Sequence, residues 1–257
     1  MEMPKTLTIA TQKGGVGKTF LNTNVAAMLA SRCLKTLLID ADPESCSTHT
    51  LLPENISTTD LKTMLEVFQH DLDFADAAIE TRIPNLSIVP CKAKARRTER
   101  FTIHENPKLL VKKKLEKAKQ KFDVIIFDLP PSFTNLISSF YLASEMIIQP
   151  CEPSIYAEES IDLTFADIAE ECERYECKHP DIYILLNLYR ESERASRDTK
   201  ESLEKRYKEK LLPFQINKSQ DVLNLINAGL TTLDVKTSAS EPISRLVDFI
   251  FNKNIIQ

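Results

Sequence analysis

The chain has 257 residues, of which 42% are hydrophobic and 27% charged, with a net charge of −4. That balance excludes a disordered or collagen-like chain, and a total of four glycines argues against a Gly-rich sandwich or barrel. No apolar run reaches the roughly 18 residues of a membrane span, and Met1-Glu2-Met3-Pro4-Lys5 leads straight into a strand pattern with no room for a signal peptide. The expectation is one cytoplasmic domain over 1–257.

Taken in chain order, the pattern alternates between short apolar runs and amphipathic stretches of helix length. A strand over 7–10 leads into Thr11-Gln12-Lys13-Gly14-Gly15-Val16-Gly17-Lys18-Thr19 and a helix over 19–31. Three of the four glycines fall in this one turn, and Gly17-Lys18-Thr19 closes a phosphate-binding loop. Such a loop needs glycines because backbone N–H groups and a helix N-terminus must come close to the phosphates. Lys18 would neutralise β/γ-phosphate charge, and the Thr19 hydroxyl would ligate Mg2+. Position 12, a glycine in the plain motif, is Gln12, and Lys13 places a second positive charge at the mouth of the loop.

The second strand, 36–40, ends in Asp40-Ala41-Asp42-Pro43, two carboxylates with strand spacing that share one face. Carboxylates are wanted there for the water shell of magnesium and for orienting an attacking water. Two short helices over 60–69 and 73–79, a strand over 86–90 and a helix over 107–120 follow. The next strand, 124–128, delivers Asp128 at its carboxyl end, followed by Leu129-Pro130-Pro131-Ser132. Beyond lie a helix over 133–142, a strand over 146–149, a helix over 157–175, a strand over 182–187, a helix over 196–208, a strand over 211–216, and helices over 220–227 and 242–252. This regular alternation predicts an α/β fold: a single-domain, doubly wound, mostly parallel sheet with helices on both faces and ligands at the strands' carboxyl ends.

Cys33, Cys46, Cys91, Cys151, Cys172 and Cys177 form no C-x-x-C pair, and Cys172, Cys177 and His179 fit no zinc spacing. The charge distribution is uneven. Twelve Lys/Arg stand against three Glu between Lys92 and Lys121, and nine basic residues against six acidic between Arg190 and Lys218. The span 150–181 holds ten acidic residues against Arg174 and Lys178. Such asymmetry gives a face that attracts polyanions, unless the runs are merely solvated helix faces.

Lys13-Gly14-Gly15-Val16-Gly17-Lys18-Thr19 resembles the deviant Walker A motif of the ParA/MinD family of P-loop NTPases. Asp40-Ala41-Asp42-Pro43 and Asp128-Leu129-Pro130-Pro131-Ser132 resemble that family's first and second switches, with the double proline pointing to its ParA branch. Glu44 replaces the family's usual glutamine. The resemblance implies an Mg2+-dependent ATPase that dimerises on ATP, with Lys13 reaching to the partner's phosphates. It implies a nucleotide cradle of Gly14, Gly15, Val16, Gly17, Lys18, Thr19 and Phe20, with Asn187 at the adenine. In this reading Thr19, Asp42 and Asp128 handle Mg2+, Asp42 positions the hydrolytic water, and Lys13, Lys18 and Asp42 carry catalysis.

The same resemblance implies a ParB-like activator and non-specific DNA as partners, the protein then being nucleoid-associated. Arg190, Arg194, Arg197, Lys205, Arg206 and Lys218 are the expected phosphate contacts. The family's arginine pair after the seventh strand corresponds to Lys218 and Asp221, so one of its charges is reversed here. Only six residues precede the apolar core of the first strand, so no N-terminal helix-turn-helix is expected. Membrane binding is not expected, because Arg245 and Lys253 stand against Asp248 on the last helix. The alternative reading is a ParA-like scaffold that positions a protein cargo, or acts at a membrane, with little DNA binding.

Overall fold

The computed structural model describes residues 3–52, 61–92 and 106–252. Its centre is an eight-stranded sheet of β1 (Thr6–Ile9), β2 (Thr36–Asp40), β3 (Ile79–Glu80), β4 (Leu86–Val89), β5 (Val124–Asp128), β6 (Met146–Cys151), β7 (Asp181–Tyr189) and β8 (Leu211–Asn217). The order across the sheet is β3-β4-β2-β5-β1-β6-β7-β8, parallel throughout except for the short antiparallel edge strand β3. The expected doubly wound sheet is therefore present.

The alternation of side chains along each strand explains why both faces are covered. Leu7, Ile9, Leu38, Val124, Ile126 and Ile148 point to one face, into a core shared with Leu21, Val25 and Leu246. Leu37, Ile39, Ile125, Phe127 and Ile147 point to the other, into a core built around Phe74, Phe140 and Tyr141. The first face carries α1 (Lys18–Ser31), α9 (Gln220–Asn227) and α10 (Ser240–Phe251). The second carries α4 (Pro107–Leu110), α5 (Glu116–Lys121), α6 (Asn135–Ala143) and the C-terminal part of α7 (Ala157–Arg174). Two further short helices, α2 (Cys46–Leu51) and α3 (Met64–Gln69), follow β2, and α8 (Arg194–Arg206) joins β7 to β8.

Three departures from the sequence expectation have local causes. The helix expected over 107–120 is broken into α4, a 3-10 turn over Lys112–Leu115, and α5. Asp73, distant in sequence, accepts the backbone N–H groups of Lys117 (2.8 Å) and Ala118 (3.1 Å) and so caps a new helix start. Lys114, drawn inward by the break, is buried on Asp71 at 2.6 Å. The helix expected over 73–79 is a 3-10 turn at Phe74–Asp76 followed by β3, which pairs with β4. Helix α2 is six residues of Cys-Ser-Thr-His-Thr-Leu, too short and too polar to show a period. The start of the helix expected over 60–69 lies partly outside the described residues. Among the described residues no helix is long and apolar enough to cross a membrane.

Candidate functional site: a phosphate loop over two buried aspartates

The loop between β1 and α1 is shaped by backbone conformation. Gly15 and Gly17 have φ of +75° and +81°, the left-handed region that only glycine enters without strain. Helix α1 begins at Lys18 with no side-chain cap and no acidic residue in its first turn. Its first N–H groups and the positive end of its dipole therefore face the loop uncompensated, an arrangement suited to a bound anion.

This loop forms one wall of a cavity of about 670 Å³. Gly14, Gly15, Gly17, Lys18, Thr19 and Phe20 line it from the loop and α1, Asp42, Pro43, Glu44 and Cys46 from the turn after β2, and Pro130 and Pro131 from the segment after β5. At the far side stand Ile226 and Leu230, apolar residues that sequence reading did not single out. Their only signal was membership of an amphipathic helix and its exit, which every core-packing helix shares.

Lys18 is nearly buried, and its ammonium donates to the Lys13 carbonyl at 3.3 Å. Burial pulls its pKa below the ordinary lysine value, and the carboxylates of Asp128, Asp42 and Glu44 offset part of that shift. A desolvated cation facing an open cavity gains strongly from an arriving anion. Asp128 lies beneath Thr19 and is buried at the end of β5, in register with Asp40 at the end of β2. Burial raises the pKa of both carboxyls, and their mutual proximity adds to the rise at Asp40. Each carboxyl also collects donors. Asn22 Nδ2 (2.8 Å), Ser47 Oγ (2.6 Å) and the Thr19 hydroxyl bond to Asp128. Thr48 supplies its N–H (2.9 Å) and Oγ1 (2.6 Å) to Asp40. Asn22, Ser47 and Thr48 escaped the sequence reading because their partners lie on other elements.

The remaining expected site residues are placed as follows. Val16 is buried with its side chain in the protein. Asn187, also buried, stands behind the loop and not in the cavity wall, donating to the Val16 carbonyl at 2.8 Å. Its position makes it a brace for the glycine turn. Lys13 does not line the cavity of its own chain; its ammonium sits 3.5 Å from Glu152, and both side chains are partly exposed.

The basic residues expected at DNA are exposed but locally engaged. Arg190 pairs with Glu193, Arg194 with Asp198 and Lys205 with Glu201, and Arg197 donates to the Glu191 carbonyl. Arg206 bridges Glu158 and Asp162 of α7 at 2.9 and 2.5 Å, which makes it a staple between α7 and α8. Lys218 donates its backbone N–H to Tyr189. Asp221 is occupied in ties to Ser219 and to the Ser238 backbone, which hold its carboxyl down at about 2 and anchor α9 to the segment before α10. Within the basic run 92–121, Lys94, Arg96, Arg97 and Arg100 lie outside the described residues, while Lys117 and Lys119 are paired with Asp76 and Glu145.

A prediction follows from the brace. A Cβ added at Gly17 would lie 2.7 Å from Asn187 Nδ2, whereas one added at Gly15 meets nothing within 4 Å. Gly15→Ala is expected to cost about 1 kcal/mol of conformational strain. Gly17→Ala carries the same strain plus a displaced Asn187 and is expected to cost about 2–4 kcal/mol. Thermal denaturation of the two variants side by side measures the difference.

The AAA domain family, AAA_31, matches residues 4–178. The sporulation initiation inhibitor protein Soj of Bacillus subtilis is 32% identical over 161 residues, 62% of this chain and 62% of Soj, so the match spans about three-fifths of each protein. Among solved structures, apo McdA of Cyanothece superposes with a TM-score of 0.84 at 22% identity, covering 96% of this chain and 98% of McdA. A protein described as a plasmid partition protein from Borrelia burgdorferi, bound to AMPPNP, gives 0.81 at 24% identity over 98% of this chain and 100% of that one. The family match spans about two-thirds of the chain, which belongs to the AAA_31 family of AAA domains and is of the ParA/MinD type.

Proposed function

We propose that this protein is an Mg2+-dependent ATPase that dimerises in the ATP state, binds DNA without sequence preference, and is released when a partner stimulates hydrolysis. The observation that carries the nucleotide part is the convergence of Lys18, the uncapped start of α1 and Asp42 on one cavity, with the buried Asp128 hydrogen-bonded behind its wall residue Thr19. The donor set suits magnesium: Thr19 and Asp128 offer hard oxygens, and among the described residues no three-residue His/Cys/Asp/Glu cage exists. Magnesium in phosphate sites is held by one or two protein oxygens and the phosphates themselves, not by a cage. When bound, it supplies charge neutralisation across the β- and γ-phosphates. Lys18 and the α1 N–H groups hold the phosphates, and Asp42 accepts hydrogen bonds from the attacking water.

Dimerisation is supported by the direction of Lys13. It faces out of its own cavity toward Glu152 through a partly exposed pair of little intrinsic strength, so a second copy's phosphate charge can take it over. Release then follows loss of the γ-phosphate contacts.

For DNA, the supporting features are the exposed cations on and beside α8 together with Lys218. Their local pairs are each worth about 0–1 kcal/mol, weak enough for phosphate to displace. In an ATP-against-ADP comparison on random-sequence duplex, binding is expected in ATP only, with log K falling by about 0.9 per phosphate contact for each tenfold rise in salt. Arg206→Ala is expected to loosen the contact between α7 and α8 more than it weakens DNA binding. The second reading, a scaffold for a protein cargo, is favoured by Asp221 and by the engagement of five of the six expected contacts. ATP-dependent dimers that ignore duplex DNA at low salt would establish it.

A further inference from the structure

The turn that carries Asp42 does not hang free. Ser45 N donates to the Asp42 carbonyl at 2.8 Å, Glu44 N donates to Asp42 Oδ1 at 2.9 Å, and Asp42 N donates to Asp40 Oδ1 at 3.1 Å. Ser45 then takes the left-handed conformation, φ 58°, unusual for a residue with a Cβ, and α2 begins. This reversal brings two consecutive α2 residues onto the two carboxylates at the strand ends. Ser47 reaches Asp128, and Thr48 reaches Asp40 while accepting from Cys91 N at 3.0 Å. Both hydroxyls are buried, Ser47 fully.

The lone-pair count on Asp128 gives this contact a consequence. A carboxylate offers about four acceptor sites. Asn22 occupies one on Oδ1, Ser47 occupies one on Oδ2, and the Thr19 hydroxyl takes a further one. With a donor on each oxygen, the carboxylate plane is fixed from two sides, by α1 through Asn22 and by α2 through Ser47. Its third partner, Thr19, lines the cavity and so links this carboxylate to the site. Asn22 is itself pinned by its second bond to the Ile9 carbonyl at 3.0 Å, so its side of the clamp belongs to the rigid core. Ser47 lies in the first turn of α2, directly after the turn that bears Asp42.

We propose that Ser47 is a positioning residue for magnesium, acting through Asp128 and coupling the metal site to the Asp42 turn. The inference rests on the Mg2+–ATP reading of the cavity given above. Partners that orient a metal-site residue from behind generally govern affinity by about 10–100-fold. Ser47→Ala leaves Asp128 buried with Oδ2 deprived of its Ser47 donor and the carboxylate held from the α1 side alone. Magnesium affinity is therefore expected to fall at least about tenfold, while metal-free nucleotide affinity, which depends on Lys18 and the loop, is unchanged.

The experiment titrates Mg2+ into the full chain with a fluorescent ATP analogue bound, against an EDTA-treated reference, and repeats it with Mn2+ by paramagnetic resonance. Ser47→Ala should weaken both metals, Ser47→Thr should restore them, and Ser47→Cys, whose thiol is a poor donor, should lie between. Thr48→Val, which removes a donor from Asp40 and not from Asp128, should lower thermal stability while leaving metal affinity near that of the unaltered protein. If Ser47→Ala does not fold, Ser47→Cys reads the same effect at smaller amplitude. An unaltered protein whose nucleotide affinity ignores Mg2+ would overturn the reading of the site itself. A normal Mg2+ response retained in both Ser47→Ala and Ser47→Cys would overturn the role of Ser47 alone. Equal losses in Thr48→Val would overturn it too, by showing general loosening of α2.

Discussion

Lys18→Ala is expected to weaken ATP binding by roughly 30- to several-thousand-fold while leaving the apo protein folded. The two halves of that result have separate causes. In the empty cavity the Lys18 ammonium is desolvated and makes one backbone hydrogen bond, of 3.3 Å to Lys13, so the folded state gains little from it. Its lowered pKa says the same thing: burial disfavours its charge more than the nearby carboxylates favour it. With a triphosphate present, the same group faces several negative charges in a poorly solvated site. Truncating one member of a buried, hydrogen-bonded charge pair costs about 2–5 kcal/mol, or roughly 30- to several-thousand-fold in Kd. Isothermal titration with ATP, alongside a thermal melt of the apo protein, reads both halves. Affinity within about threefold of the unaltered protein would remove Lys18 from the site.

Asp42→Ala is expected to do the reverse, preserving ATP binding and stopping turnover. Asp42 lines the cavity and lies on a turn whose entrance and exit are held by Asp40 and α2, so losing its carboxylate costs the turn one bond, from Glu44 N. Asn at this position would keep that bond without the charge, which separates the loop's geometry from its chemistry. A positioned acceptor for a reacting proton contributes about 10²–10⁴ in rate. Hydrolysis by either variant is therefore expected to drop at least about a hundredfold, with the protein accumulating in its ATP-bound, dimeric form. Single-turnover release of phosphate and light scattering in ATP measure the two consequences. Rapid turnover by purified Asp42→Ala would assign the water-positioning role elsewhere, with Glu44, on the same cavity wall, the next residue to test.

Features that depend on neighbours along the chain were legible from residue order. Glycine enters the left-handed region at least cost, and Gly15 and Gly17 stand where φ is positive. Strands buried on both faces must be continuous apolar runs, and those over 36–40 and 124–128 coincide with β2 and β5. Lys18 and Thr19 open α1 because the loop leads into it, and Asp40 and Asp128 end strands because charge terminates an apolar run. Tertiary structure alone decided which of these groups meet. Strand register sets Asp40 beside Asp128, and the sharp reversal at Ser45 delivers Ser47 and Thr48 to them. Asp73 broke a helix that its own periodicity favoured, because two backbone N–H groups on a distant segment found a buried acceptor. Lys13 turned toward Glu152 and Asn187 moved behind the loop for the same kind of reason: direction follows the partner, and the partner lies far away in the chain. Spacing along a sequence encodes conformation through short-range sterics, whereas a hydrogen-bond partner contributed by another strand or helix exists only once the sheet has closed.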